Sequence, residues 1–139
     1  MQKHRGFTLI EIMVVVVIIG ILGALIVPSL VGRTDEARVT AAESDLRAIG
    51  NALNLYRLDN FTYPSTDQGL EALVSEPGGQ PEAKNWNPGG YLPKLPVDPW
   101  GNTYIYLSPG AESEYELYSL GADGREGGTG PAADILLSE

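Results

Sequence analysis

The chain has 139 residues and a formal net charge of −9, from 18 acidic and 9 basic side chains. This acidic balance argues against nucleic acid as a partner, because the phosphate backbone binds basic surfaces. The chain has no cysteine and its single histidine is His4, so the usual nucleophile–base pairs and zinc ligands are missing and we predict that the protein is not an enzyme.

An apolar stretch from Phe7 to Val31 dominates the N-terminal part of the sequence and carries one charge, Glu11. At about 1.5 Å per residue, a helix over this stretch would be roughly 38 Å long, which is enough to span a bilayer core. The basic residues Lys3 and Arg5 precede it. They predict that the leader stays on the cytoplasmic side and that the rest of the chain lies outside.

Glu11 is unusual in such a stretch, since an acidic residue near the centre of a membrane helix costs about 2.5–3.5 kcal/mol, and less near an end. One interpretation is that its carboxylate snorkels to the interface. The other is that it awaits a positive partner. Cleavage after Gly6 would create one, the α-amino group of Phe7, whose ordinary pKa is about 7.7–8.0. This amine could contact Glu11 one helical turn away in the same chain, or Glu11 of a neighbouring chain.

A short basic leader, then Gly6, the run FTLIE at 7–11 and a long apolar stretch together resemble the N-terminal signal of type IV pilins and pseudopilins. The resemblance implies that a prepilin peptidase removes residues 1–6 and methylates the new N-terminal Phe7. It also implies that Glu11 neutralises the N-terminus of an adjacent subunit in a filament. Pro28 falls where that family carries a proline that kinks the helix, and it removes a backbone donor.

Helical character is predicted to continue beyond the apolar stretch. Apolar residues recur there at spacings of three and four, which indicates one buried helix face: Val39, Ala42, Leu46, Ile49, Leu53 and Tyr56. We expect one helix over about 7–59, roughly 80 Å long, with its second half packed on a globular domain. A separate helix capped by Thr34 or Asp35 is an alternative, and so is a coiled-coil dimer through the apolar face.

The segment after this helix carries turn signals. Ser65 and Gln68 have capping-box spacing, which predicts a short helix over 69–74. The following loop is rich in Pro and Gly and contains Trp86 and Trp100. Two tryptophans there predict an ordered loop folded onto a core. An aromatic surface that binds carbohydrate or protein is the alternative.

Two segments with alternating side chains come next, 103–107 and 115–120, joined through a turn at Pro109-Gly110. They predict an antiparallel hairpin. The tail after Gly121 is predicted to be loop, and the apolar run at 135–137 is expected to pack the tail against the domain.

The C-terminal runs LPVDPWGNTYIYLSPG at 95–110 and LYSLGADGREGG at 117–128 resemble the major pseudopilin family of type II secretion systems. The resemblance implies an α+β, type IV pilin-like fold, with a long N-terminal helix packed on a small antiparallel sheet and ordered C-terminal loops. It divides the chain into a leader at 1–6, a transmembrane and filament-core helix at 7–31, and a periplasmic globular domain at 32–139.

The same resemblance implies a calcium site, with carboxylates from Asp123 and Asp134 and the backbone carbonyl of Leu120. Members of that family usually carry further Asp or Asn before the final Asp, where this chain has TGPAA at 129–133. Calcium takes about six to eight oxygen ligands, so more carbonyls, Glu126 or water would have to complete the set. The alternative is a Gly-rich surface loop in which Asp123 shapes a turn.

The function implied by the resemblance is a structural subunit of the pseudopilus, anchored by a single span in the bacterial inner membrane. We expect a homopolymer in the periplasm that helps to export folded proteins across the outer membrane. Expected partners are minor pseudopilins, the inner-membrane assembly platform and its ATPase, prepilin peptidase and, indirectly, the outer-membrane secretin and secreted substrates. Membrane lipid surrounds the helix before assembly. A type IV pilus pilin and an anchored periplasmic binding domain are the alternatives; the missing cysteines disfavour the pilin, since many pilins close a C-terminal loop with a disulfide.

Overall fold

The computed structural model describes residues 6–137, with the side chains of all of them except 27–31. Its elements are helix α1 at Leu9–Asn60, strands β1 at Ile105–Leu107, β2 at Glu116–Ser119 and β3 at Ile135–Leu136, and two 3-10 turns at Leu70–Leu73 and Gly130–Ala132. Residues 1–5 of the predicted leader and the side chain of Pro28 lie outside the described residues. The α+β class expected from the sequence is confirmed.

Helix α1 is one continuous element of 52 residues. It begins and ends within two residues of the predicted bounds and passes Thr34 and Asp35 without a break. The alternative of a second helix capped at those positions is therefore wrong. Asn60 lies at the end of the helix, where its side-chain amide donates to the Tyr56 carbonyl at 3.0 Å and so packs back on the last turn.

The chain divides into two compact units between Glu36 and Ala37. In the N-terminal unit, Leu9–Ile26 has a mean hydropathy of 3.0 and none of it is buried. By length and composition, this is the one helix among residues 6–137 that is apolar enough to cross a membrane. A soluble subunit would bury such a surface, so this half of α1 requires lipid or other protein around it.

In the C-terminal unit, the predicted apolar face of α1 forms the floor of the core. Its large side chains are at most 1% exposed: Leu46, Ile49, Leu53 and Tyr56. Leu73, Tyr104, Tyr106 and Leu117 cover them from the turn and the sheet. Full burial of such a side chain stabilises the fold by about 1.5–3 kcal/mol. A coiled-coil dimer through this face is excluded, since the chain's own core already occupies it.

The three strands form one antiparallel sheet in the order β1-β2-β3. The predicted hairpin is confirmed, with Tyr106 opposite Leu117, and β3 returns the tail beside β2. Strand β1 is shorter than expected because Thr103 pairs with Val97 in an isolated bridge. The tail is held as predicted: the Leu137 amide donates to the Leu117 carbonyl at 3.1 Å.

The capping box between Ser65 and Gln68 is confirmed. The Ser65 amide donates to Gln68 Oε1 at 3.0 Å, and the Gln68 amide donates to Ser65 Oγ at 3.2 Å. The element that follows is a 3-10 turn of four residues, shorter than the expected helix. Trp86 donates its indole N–H to the Ala72 carbonyl at 2.8 Å, which confirms that its loop folds onto the core.

Candidate functional site

The predicted cleavage junction lies on exposed backbone ahead of α1. Gly6 and Phe7 are both outside the helix and exposed, and the Phe7 side chain is 81% accessible. A Cβ added to Gly6 would meet no atom within 4 Å, so the described fold does not itself demand glycine there. A requirement for Gly6 would therefore have to come from an enzyme that reads the junction.

Glu11 forms a capping box with Thr8, which sequence reasoning missed. The Thr8 amide donates to Glu11 Oε2 at 3.4 Å, and the Glu11 amide donates to Thr8 Oγ1 at 3.3 Å. The spacing Thr-x-x-Glu ahead of an apolar run is the signal that would have found it. The carboxylate thus lies at the positive end of the helix dipole.

Both bonds of this capping box are long, since ordinary N–H···O bonds centre near about 2.9–3.0 Å. The Glu11 carboxylate is also exposed. It is therefore weakly held within its own chain and accessible to a stronger, positively charged partner. Glu11 is thus bonded to the end of its own helix, an arrangement that neither interpretation of the sequence had included.

The loop between β2 and β3 folds against itself. The Ala122 amide donates to the Pro131 carbonyl at 2.9 Å, and the Asp134 amide donates to the Gly127 carbonyl at 3.2 Å. Gly121 adopts a φ of +67°, and a Cβ there would come within 2.6 Å of the Ala133 carbonyl oxygen. The two ends of the loop are therefore in direct backbone contact, which brings the neighbourhoods of Leu120 and Asp134 together.

The two predicted carboxylate ligands have different surroundings. Asp123 Oδ1 accepts the Arg125 amide at 3.0 Å on the surface, which is the turn-shaping contact of the alternative interpretation. Asp134 Oδ2 accepts the Gly127 amide at 3.0 Å. Asp134 Oδ1 is buried and has no hydrogen-bond partner among the described residues. A buried oxygen without a partner is unfavourable.

This donor chemistry fits calcium. Calcium binds carboxylate and carbonyl oxygens, and it would satisfy Asp134 Oδ1. Among residues 6–137, no group of three or more His, Cys, Asp and Glu side chains lies close enough to hold a metal. A site here would therefore need main-chain oxygens such as that of Leu120 beside Asp123 and Asp134.

Buried tyrosines connect the sheet region to the rest of the C-terminal unit. The Tyr104 hydroxyl donates to Asp45 Oδ2 on α1 at 2.9 Å, and the Tyr106 hydroxyl donates to the Pro64 carbonyl at 2.8 Å. Burial raises the pKa of both hydroxyls above the ordinary value, and the bond to Asp45 raises the pKa of Tyr104 further. Both therefore remain donors over the physiological pH range.

Two family models match the chain and together cover nearly all of it. The model described as "Type II secretion system (T2SS), protein G" matches residues 29–138. The model described as "Prokaryotic N-terminal methylation motif" matches residues 1–27. The boundary between them lies inside α1, close to the end of its apolar part.

Curated relatives and a solved structure agree with these models. A type II secretion system core protein G from Pseudomonas aeruginosa is 63% identical over 134 residues, which cover 96% of this chain and 94% of the relative. The protein of the same name from Vibrio cholerae is 55% identical over 97% of this chain and 92% of the relative. The crystal structure of the major pseudopilin from the type 2 secretion system of enterohaemorrhagic Escherichia coli matches with a TM-score of 0.68 and 46% identity, over 78% of this chain and 93% of that one.

Proposed function

Because the chain belongs to the type II secretion system protein G family, we infer that it is a structural subunit of the pseudopilus, which self-assembles with other components of that system. The observation that carries this function is that the chain combines an exposed apolar helix, Leu9–Ile26, with a separate compact C-terminal unit. A type IV pilus pilin would share the N-terminal methylation motif, but the protein G model matches the globular part as well. The family is one of structural subunits, and we propose that this chain likewise has no enzymatic activity.

Assembly is proposed to begin with cleavage between Gly6 and Phe7 by prepilin peptidase, followed by methylation of the Phe7 amine. The new positive charge then pairs with the Glu11 carboxylate of an adjacent subunit. The capping-box bonds to Thr8 support this step, because they are long and exposed and therefore hold the Glu11 carboxylate only weakly within its own chain. Pro28 is proposed to loosen the helix so that it can leave the lipid.

The proposed location is the inner membrane before assembly, with one span and the C-terminal unit in the periplasm. The proposed partners are further copies of the chain, minor pseudopilins, the assembly platform with its ATPase, and prepilin peptidase. The secretin and the exported proteins interact indirectly. The apolar, exposed first half of α1 supports the lipid and filament contacts, because each would remove that surface from water.

A calcium ion held by Asp123, Asp134 and the Leu120 carbonyl is proposed to rigidify the loop between β2 and β3. The orphaned Asp134 Oδ1 supports it. Binding stabilises the folded state by about 2.7 kcal/mol when free calcium is 100 times its dissociation constant. We expect calcium to raise the unfolding temperature of the wild type and not of Asp134→Asn. Asp67→Asn, at an exposed loop position, is the matched control, and an equal calcium response in wild type and Asp134→Asn would contradict the site.

The filament function is tested by deleting the gene in its own host and restoring wild-type or variant chain. We expect deletion to abolish export of the folded substrates and the wild type to restore it together with sedimentable filaments. Normal export without the chain would contradict the proposal. Long surface fibres with unchanged export would instead favour a pilus, and an uncleaved monomer would favour an anchored binding domain.

A further inference from the structure

Asp98 is a buried carboxylate that the proposed assembly steps do not use. It is 2% exposed and lies in the tight turn 98–102 ahead of β1. Its Oδ1 accepts the Trp100 amide at 3.1 Å and the Asn102 amide at 2.8 Å. Its Oδ2 accepts the Ser119 hydroxyl at 2.8 Å. All three donors are neutral, and Asp98 belongs neither to the Arg47–Glu43 ion pair nor to the Arg57–Glu114 ion pair.

A buried carboxylate with neutral donors alone is costly, because hydrogen bonds replace only part of the water that solvated its charge. A nearby cation would offset that cost. The loop after β2 approaches this turn, since a Cβ on Gly124 would lie 3.6 Å from Asn102 Nδ2, at the end of the Asp98 turn. The turn that holds Asp98 therefore lies directly against the loop proposed to bind calcium.

Ser119 connects Asp98 to that loop. Its side chain is fully buried, and its Oγ donates to Asp98 while accepting the Gly121 amide at 3.2 Å. The Gly121 N–H and the Leu120 carbonyl belong to the same planar, trans peptide unit. Because the two groups of a trans peptide point in opposite directions, fixing the N–H toward Ser119 directs the Leu120 carbonyl away from Ser119.

We propose that Asp98 is a positioning residue for the calcium site, acting in two ways. Through Ser119 it fixes the peptide that carries the Leu120 carbonyl, and through its charge it adds a negative group in the turn that lies against the loop of Asp123. Groups that orient metal ligands from outside the coordination sphere typically change affinity about 10–100-fold when they are replaced. The inference rests on the proposed calcium site and explains how a loop with two carboxylates binds the ion.

The test compares variants of the full mature chain in detergent, by calcium titration and by unfolding temperature in EGTA and in calcium. Asp98→Asn is isosteric: its oxygen still accepts from the turn amides, but its amide can only donate to Ser119 Oγ, so the Ser119 hydroxyl loses its acceptor. We expect the calcium dissociation constant to rise at least about 10-fold. In EGTA we expect the unfolding temperature to change little, because removal of the buried charge offsets the lost hydrogen bond from Ser119.

Two further variants separate positioning from folding. Ser119→Ala keeps the Asp98 charge but frees the Gly121 amide, so it should also weaken calcium binding. Asn60→Ala removes an equally buried polar group that bonds Tyr56 and Tyr91, so it should lower stability in EGTA and leave calcium affinity unchanged. If Asp98→Asn does not fold, the calcium affinity of Ser119→Ala tests the positioning role instead.

The outcomes distinguish the two proposals. A wild-type chain that does not respond to calcium overturns both the calcium site and the role of Asp98. A responsive wild type whose affinity is unchanged in Asp98→Asn and Ser119→Ala overturns the role of Asp98 alone. Loss of stability in EGTA with unchanged affinity would make Asp98 a structural residue only.

Discussion

Replacing Glu11 by Gln should separate filament assembly from folding. Glu11 lies in the N-terminal unit, whereas the buried core lies in the C-terminal unit. Gln retains an oxygen that accepts the Thr8 amide, so the helix end loses only the charge–dipole interaction, about 0.3–1 kcal/mol. We therefore expect the unfolding temperature of the C-terminal unit to stay within about 1 °C of the wild type.

Assembly should respond much more strongly to this substitution. A hydrogen bond to a charged group contributes about 1.5–3 kcal/mol. Since about 1.4 kcal/mol corresponds to a factor of ten, loss of the bond between the Phe7 amine and Glu11 should raise the subunit concentration needed for filaments roughly 10–100-fold.

The assay measures sedimentable filaments at matched expression, together with the unfolding temperature of the purified mature chain. Glu76→Gln, the same chemical change at an exposed loop position, should leave both quantities unchanged. Wild-type filament yield from Glu11→Gln would refute the role of this carboxylate. An equally large loss from Glu76→Gln would show that net charge alone explains the effect.

Three further predictions concern the C-terminal unit. Leu53→Ala, at a fully buried position, should lower the free energy of unfolding by about 2–5 kcal/mol in urea titrations; a loss below about 1 kcal/mol would contradict the core assignment. Gln68→Ala removes side-chain bonds to the Ser65 amide and to the Gly78 and Pro81 carbonyls, so the same titrations should show a loss of roughly 2–3 kcal/mol, whereas an unchanged midpoint would mean that these bonds do not anchor the loop. The pKa of the Tyr104 hydroxyl is raised in the folded state, so the unfolded chain releases the hydroxyl proton at a lower pH than the folded chain. The stability that this hydroxyl contributes is therefore complete below about pH 10 and is lost above it. Tyr104→Phe should show a shallower fall in the free energy of unfolding between about pH 10 and 11 than the wild type, and an identical slope would contradict the raised pKa.

The parts of the fold that were predictable depend on neighbours in sequence. The spacing of Leu46, Ile49 and Leu53 shows which face of α1 is buried, and the capping box at Ser65 needs only Gln68 three residues later. The bridge between Val97 and Thr103 was not predictable in the same way. In this bridge Thr103 pairs with the residue before the turn at 98–102 and lies outside β1. The alternation of side chains within 103–107 does not indicate that pairing.

The residues of the candidate sites also divide into those with a signal in the local sequence and those without one. The junction at Gly6 and the position of Glu11 were predicted from a local motif, and the Thr8 capping box has a local signal that was overlooked. The burial of Asp134 Oδ1 and the contact between Asp98 and Ser119 depend on segments about 20 residues apart or on a folded loop. No spacing rule identifies such a contact, because the turn and the end of β2 become neighbours only when the sheet forms.

The intact mass of the membrane-extracted chain, from cells with and without prepilin peptidase, tests the central claim most directly. If the chain is a pseudopilin, its mass in cells with the peptidase lacks residues 1–6 and includes one added methyl group, and the full-length mass remains when the peptidase is absent. A chain that keeps its leader in both strains, or that is cut beyond the apolar part of α1, would contradict assembly through Phe7 and Glu11.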